Sequence, residues 1–546
     1  MSERMPRGAA VRTAVVGGLC LGAATPPAWF PGAECLVVVG LALWLQLAQR
    51  AGLASSYLLG CVHMAWFSWS VRHVLWPAYG AIVVLGGGYY LLGSVAVRRL
   101  RPGWTVPGFA VAVAGSCWLR SVLPEIHYPH GQPCHALWSW PWLLAPLRLG
   151  GEPLGNALLG ATAAALVLLA RSWRTAVPGS ALARGALCGA VGCWGALAGL
   201  GWLARPAAPL APATVVDVAA VQPNVHPYDP YLELAPAARA QRFRELYEER
   251  LVAPVRELLR GTPPDLILWP ESSLPYDLEL GAELPPLLPP DVAVPAKTQL
   301  VVGGSLRRAE GPTPAALQVG AAGRWLGTHE KQCLVPGGEF LPLVRWLPEA
   351  LRQFVHGQFA AALGSAPDCV PGRPAPPLRT AAGVPFAAMI CYDNAFPGPA
   401  AAAVANGAWL LCVLSNEAWY RGGGELTQLL AMTVCRAVEL GVPIVRCTTD
   451  GWTAVVGADG RVVAELPPRT GADPGAQILR SSVPVVPVAV GAMAPLRAAA
   501  GPLAASCFGL LILHGLRAWA KLRAARTAAA VPAAGGEPPT AGRTGS

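Results

Sequence analysis

Val384-Pro385-Phe386-Ala387-Ala388-Met389-Ile390-Cys391-Tyr392-Asp393 is the stretch on which the reading of this chain turns. An apolar run that closes on a cysteine, followed by Asn394-Ala395-Phe396-Pro397, predicts a buried strand that delivers a thiol to its carboxyl end. In α/β folds that edge is where chemistry sits. A strand cysteine is more often a small buried hydrophobe than a nucleophile, so the thiol needs partners from elsewhere in the chain.

Around this stretch, from 214 to about 490, short apolar runs alternate with amphipathic or Pro/Gly-rich segments. Strands are expected at 215–221, 266–269, 300–303, 384–391, 408–414, 443–447 and 453–457, and helices at 237–259, 398–406 and 425–440. Such alternation predicts an α/β sandwich with a single core. Three polar residues fall where strands end: Glu271 after Leu266-Ile267-Leu268-Trp269-Pro270, Lys331 after Trp325-Leu326-Gly327-Thr328-His329-Glu330, and Cys391. Singly, they read as a helix cap, a solvated turn residue and core filling. Jointly, they supply a base for the thiol and an ammonium expected both to lower the thiol pKa and to stabilise an oxyanion.

Outside this domain the chain changes character. Hydrophobic residues make up 53% and charged residues only 13%, too apolar for an ordinary soluble protein, and the excess lies before about 205 and between 496 and 518. Runs at 14–24, 35–47, 52–70, 74–97, 104–123, 153–170 and 181–203 predict seven membrane spans, with an eighth at 496–518. The first run also reads as a cleaved leader; the short Pro-rich turn before the second favours a retained helical hairpin. Arg4, Arg7, Arg12, Arg50, Arg98, Arg99, Arg101, Arg171, Arg174 and Arg184 fall on one side, with Arg517, Lys521, Arg523 and Arg526. Arg72, Arg120, Arg148, Arg205 and Arg497 fall on the other, so the polar domain is expected outside the cytoplasm. The expected division is 1–205 membrane block, 213–490 extracytoplasmic catalytic domain, 496–518 final span and 522–546 disordered cytoplasmic tail.

The formal charge of +10 does not indicate nucleic acid, because the basic residues flank the apolar runs. Fourteen cysteines without metal-like pairing predict neither zinc nor a disulfide framework, and no cofactor is expected. His127, His130 and His135, beside Trp138, Trp140 and Trp142, match no ligand spacing and read as part of an interfacial aromatic loop. The Pro/Gly-rich segment 357–377 is expected to be a structureless lid.

Trp269-Pro270-Glu271, Lys331-Gln332-Cys333-Leu334-Val335-Pro336 and Ile390-Cys391-Tyr392-Asp393 resemble the Glu-Lys-Cys motifs of the carbon-nitrogen hydrolase (nitrilase) superfamily. With seven spans before the domain and one after, the chain as a whole resembles that superfamily's apolipoprotein N-acyltransferase family. Val221-Gln222-Pro223-Asn224, Pro336-Gly337-Gly338-Glu339, Leu414-Ser415-Asn416-Glu417-Ala418-Trp419-Tyr420 and Arg436-Ala437-Val438-Glu439 support the match. The resemblance implies a multi-span α-helical membrane protein of about eight transmembrane helices carrying an α/β, nitrilase-like α-β-β-α sandwich.

It further implies Glu271 as general base, Cys391 as nucleophile, and Lys331 with the Tyr392 N–H as oxyanion donors. Glu339 and Asp393 would support them, and Tyr392, Trp419, Trp269 and Tyr231 would shape the substrate pocket. The implied partners are a phospholipid acyl donor, a diacylated apolipoprotein acceptor and the bilayer of the bacterial inner membrane, with a monomer expected. The sequence departs from the family at Asp393, where Glu is usual and Asp with Phe396-Pro397 looks like the soluble amidases. It also departs at Pro223, Tyr231, Gln332 and the missing aromatic between Pro336 and Gly337. A membrane-tethered amidase and a non-catalytic scaffold therefore stand beside the acyltransferase reading.

Overall fold

The computed structural model describes residues 4–175, 180–203, 214–225, 234–274, 277–279, 286–363, 367–469, 471–487 and 493–529. Its first part is helical: α1 (Arg7–Ala24), α2 (Leu36–Arg50), α3 (Leu53–Phe67), α4 (Trp76–Val97), α5 (Thr105–Val122), α6 (Leu147–Thr175) and α7 (Ser180–Leu203). Each coincides with an expected apolar run. Among the described residues five helices are long and apolar enough to cross a membrane, namely Ala33–Arg50, Trp76–Val97, Leu147–Trp173, Arg184–Leu203 and Ala494–Ala524. The first turn of α6 breaks at Gly150 and Gly151. Gly151 has φ +62, and a Cβ there would lie 2.9 Å from Glu439 Oε1, so only glycine lets the membrane block approach the polar domain at this point.

The polar domain is built from two sheets. The first comprises β1 (Thr214–Gln222), β2 (Leu266–Trp269), β3 (Asp277–Glu279), β4 (Gln299–Arg307), β5 (Pro312–Val319) and β6 (Trp325–Glu330). The second comprises β7 (Leu378–Arg379), β8 (Pro385–Ile390), β9 (Leu410–Ser415), β10 (Ile444–Thr448), β11 (Thr453–Val456) and β12 (Val462–Leu466); β13 (Gln477–Val485) returns to pair with β1. The orders are β13-β1-β2-β4-β5-β6, with β3 on β4, and β12-β11-β10-β9-β8-β7. β1, β2 and β4 run parallel, as do β8, β9 and β10. All three functional strand ends can therefore open at one rim.

Side chains alternate across these strands with period two. Leu266 and Leu268 pack with Phe386, Ala388, Ile390, Leu410, Cys412 and Leu414 in the core between the sheets. Burying a side chain such as Phe386 contributes about 2–3 kcal/mol there. Ile267 and Trp269 face the other way, onto α8 (Pro236–Tyr247), a wide turn at Glu248–Val252 and α9 (Ala253–Arg260). The expected helix over 237–259 is thus one continuous rod with a wide turn in the middle.

On the far side of the second sheet lie α11 (Pro397–Ala405) and α12 (Glu425–Leu440); α10 (Glu349–Leu363) packs on the Val344–Trp346 turn, and α13 (Ala494–Ala529) returns to the membrane block. All sixteen residues of α12 are buried, because the sheet covers one face and α6 with the loop before it covers the other. Ala387, Met389, Leu411 and Val413 join Leu430 and Val434 of α12 and Leu137, Leu144 and Leu147 in one continuous core. The polar domain is therefore seated on the helices through its second sheet.

Two expectations change. The 357–377 segment is not wholly structureless, since α10 runs through Leu363; Gln358 and Ala360 to Ala362 are good helix formers and outweigh Gly357. The final apolar run continues as helix to Ala529, because Ala, Leu, Lys and Arg dominate there, so 522–529 is ordered and the tail from 530 on lies outside the described residues.

Candidate active site

Each functional side chain stands just past a strand that its own sequence ends. Pro270 removes the donor that would extend β2, and Glu271 follows it. On the adjacent strand a Cβ at Gly303 would lie 2.2 Å from Pro270 O and 2.5 Å from Glu271 Cα, so a bare backbone makes room for this turn. Lys331 follows β6, where its N–H donates to Pro314 O at 2.8 Å. Cys391 follows β8 with φ +46, in the left-handed region that a β-carbon disfavours, and opens a tight turn over Cys391–Ala395. Such a conformation costs about 1–3 kcal/mol and persists only where surrounding bonds enforce it.

Asp393 supplies those bonds. It is buried, and its Oδ2 accepts from Ile390 N at 3.2 Å while Oδ1 accepts from Gln332 N at 3.0 Å and Cys333 N at 2.8 Å. The short carboxylate thus clips the Lys331 loop onto the cysteine turn. Burial pushes its carboxyl up to about 7, and the Cys333 amide offsets part of that effect. Asn394 secures the far end of the turn by donating to Leu429 O of α12 at 3.0 Å.

Lys331, Glu271 and Glu339 form one buried charge cluster. The Lys331 ammonium donates to Glu271 Oε1 at 2.9 Å and to Glu339 Oε1 at 2.6 Å. Glu271 Oε2 accepts from Asn416 N at 2.9 Å, and Glu339 Oε2 from Val335 N at 2.8 Å. Burial alone would lower the Lys331 pKa, but Glu271 and Glu339 outweigh it and hold the group well above its ordinary value. Burial raises the Glu339 carboxyl, with Lys331 pulling it back.

The thiol answers differently from the sequence-based expectation. Cys391 is only part-covered at its surface, yet protein surrounds it densely enough that burial pushes its pKa up, and the Glu271 charge adds to the rise. Lys331 and a hydrogen bond with Ser415 lower it, but do not prevail. The ammonium is shared between two carboxylates, so little positive field is left to make a thiolate. The balance holds Cys391 toward its thiol form.

Behind Ser415, buried Glu417 pairs with Arg446 of β10, whose Nη1 donates to Thr433 Oγ1 at 2.8 Å. This pair backs the β9 end from which Ser415 and Asn416 reach the site. Among the described residues no group of three or more His, Cys, Asp or Glu is disposed to hold a metal ion.

The expected pocket residues fare unevenly. Trp269 is fully buried in the helix-facing core, edge-on to Tyr247 at 5.6 Å, and so packs rather than lines a pocket; its strand phase turns it away from the inter-sheet rim. Trp419 lies on the short turn Ala418–Tyr420 after β9 and remains 36% exposed. Tyr231 lies outside the described residues. Tyr392 is buried, and its hydroxyl donates to His127 O at 3.3 Å.

The histidine loop, given no role in the sequence reading, is brought to the site. His127 and His130 rings lie 5.9 and 5.7 Å from the Tyr392 ring, and His127 Nε2 meets Leu334 O at 3.0 Å. His135 Nε2 lies 2.9 Å from Glu152 Oε1, which also pairs with Arg436 Nη2 at 2.5 Å. Arg436, fully buried, holds Glu439 as well. This cluster ties α6 to α12, and hence to the helix that anchors Asn394. An ionisable residue beside an apolar run was the available signal for Glu152.

The carbon-nitrogen hydrolase family model matches residues 217–473. Apolipoprotein N-acyltransferase of Azotobacter vinelandii is 32% identical over 376 residues, covering 67% of this chain and 62% of that protein. That of Mycolicibacterium smegmatis is 30% identical over 491 residues, covering 84% and 78%. A solved amidase from Nesterenkonia sp. is similar at 21% identity and a TM-score of 0.31, over 49% of this chain and 90% of the amidase. A carbon-nitrogen hydrolase domain seated on apolar helices, and a relative matched along most of both chains, establish that the chain belongs to the apolipoprotein N-acyltransferase family.

Proposed function

We propose that this chain moves an acyl group from a membrane phospholipid, through a thioester on Cys391, to the α-amine of the diacylglyceryl-cysteine that begins an apolipoprotein. The observation that carries the reading is the convergence of Glu271, Lys331 and Cys391, with Lys331 bonded to Glu271 in a domain whose second sheet is fused to membrane-type helices.

In the first half-reaction Glu271 takes the Cys391 proton as sulfur attacks the ester carbonyl of the lipid. Lys331, kept cationic by its carboxylates, and the Tyr392 N–H stabilise the oxyanion. The C–O bond breaks, Glu271 returns the proton to the glycerol oxygen, and lysophospholipid leaves. In the second half-reaction the acceptor amine attacks the thioester, Glu271 accepts an amine proton, and the thiol is restored as the amide forms. Glu339 holds Lys331, Asp393 holds the turn, and Trp419 offers an aromatic wall for the acyl chain.

All eight apolar helices α1 to α7 and α13 cross the inner membrane in this reading, and the distribution of Arg and Lys puts the catalytic domain on the outer side. The protein works as a monomer. Incubating membranes that contain it with a diacylated lipopeptide, and following the lipopeptide by mass, tests the assignment. N-acylation is expected. Release of ammonia from simple amides with no lipopeptide acylation would replace it with the amidase reading.

A further inference from the structure

A cavity of about 760 Å³ opens between α1, α3, the Trp69–His73 turn and the first turn of α12, and the mechanism above makes no use of it. Glu425 lines it and is 1% exposed. Among the described residues neither of its carboxylate oxygens has a hydrogen-bond partner; Ser70 and the Val71 amide approach without completing one. Burial pushes this carboxyl up to about 7. A buried carboxylate in that state is poised for a cation, because an unpaired charge there is costly and a paired one is not.

Trp29, Trp66, Phe67 and Tyr79 form aromatic walls. Arg72 also lines the cavity; its guanidinium stacks 3.8 Å from the Trp69 ring centroid and donates to Trp69 O at 3.0 Å, with further N–H donors remaining. Arg421 lies within electrostatic reach of the adjoining His73. The cavity thus holds one guanidinium, that of Arg72, an unpaired carboxylate and aromatic surface.

We propose that this cavity binds the headgroup of an amine-bearing phospholipid, with Arg72 receiving the phosphate and Glu425 the primary ammonium. The assignment rests on the phospholipid-donor reading and names the residues that select among donors. Glu425 stands one helical turn from Leu429, whose carbonyl holds Asn394 in the Cys391 turn, so the headgroup site and the nucleophile share α12.

Native mass spectrometry of the full chain in detergent micelles, with dimyristoyl phosphatidylethanolamine or phosphatidylglycerol, tests it. The wild type should bind the ethanolamine lipid about tenfold more tightly, the effect of one charge-assisted bond. Glu425→Gln should bring the two lipids to parity while leaving phosphatidylglycerol binding unchanged. Arg72→Ala should weaken both and keep their ratio. Equal binding by the wild type, or an unchanged preference in Glu425→Gln, would overturn the proposal. Preferential binding without acyl transfer would count against the acyltransferase reading alone, because binding is read separately from turnover.

Discussion

Lys331 Nζ lies 2.9 Å from Glu271 Oε1, which joins the proposed general base and the proposed oxyanion donor in one ion pair. Because Glu339 takes the same ammonium at 2.6 Å, the pair carries an extra negative charge that faces the thiol. The two carboxylates hold Lys331 in its charged form, while burial and then the Glu271 charge push the Cys391 thiol up.

One consequence separates base from field. Glu271→Gln removes a charge that raises the Cys391 pKa, so the thiol should titrate lower. Alkylation of Cys391 by iodoacetamide at pH 9, mapped by peptide mass, should speed up. Acyl transfer should fall by roughly 10²–10⁴-fold with loss of the base. Slower alkylation in the variant would contradict this account.

Lys331 is 1% exposed between its carboxylates. Lys331→Met should cost about 3–5 kcal/mol in denaturant unfolding, because it strands buried negative charge. Adding Glu339→Gln should restore part of that stability and none of the activity. A Lys331→Met protein as stable as the wild type would refute the buried cluster.

Asp393 gives a pH dependence with a definite sign. Its carboxyl is raised to about 7 in the folded chain and is ~4 in an unfolded one. Between those values the native state holds a proton that the unfolded state has released. The contribution of Asp393 therefore lowers stability as pH rises from about 4 to about 7, by up to ~1.4 kcal/mol per pH unit. Asp393→Asn should flatten that slope in unfolding measured at pH 4, 5.5 and 7, and the same slope in both proteins would contradict the shift.

Trp269→Phe should reduce stability by about 1–2 kcal/mol through lost packing, with KM for donor and acceptor unchanged. A raised KM at constant stability would return Trp269 to the pocket.

That Glu271, Lys331 and Cys391 stand at strand ends was legible: Glu271 and Cys391 close apolar runs marked by Trp-Pro-Glu and Ile-Cys-Tyr-Asp, and Lys331 follows the mixed run Trp325 to Glu330. The phase of β2 was not legible: a parallel strand buried on both faces is apolar throughout, so nothing in Leu266-Ile267-Leu268-Trp269 says which side Trp269 takes. The thiol's direction of shift also escaped the sequence. It depends first on how densely the fold buries Cys391 and then on the Glu271 charge beside it, neither of which the local sequence states. His127 and His130 meet Tyr392 only through long-range packing of the α5–α6 loop, for which ligand spacing is the wrong test. Asp393, the least family-like residue, becomes intelligible once its three amide partners are seen.

The nucleophile is tested most directly by intact-protein mass spectrometry after brief incubation with phospholipid and no acceptor. The account predicts a single added acyl chain on the wild type, released by neutral hydroxylamine and by a diacylated lipopeptide, and absent from Cys391→Ala. An acyl adduct that persists in Cys391→Ala, or a wild type that acylates lipopeptide without ever carrying the adduct, would contradict it.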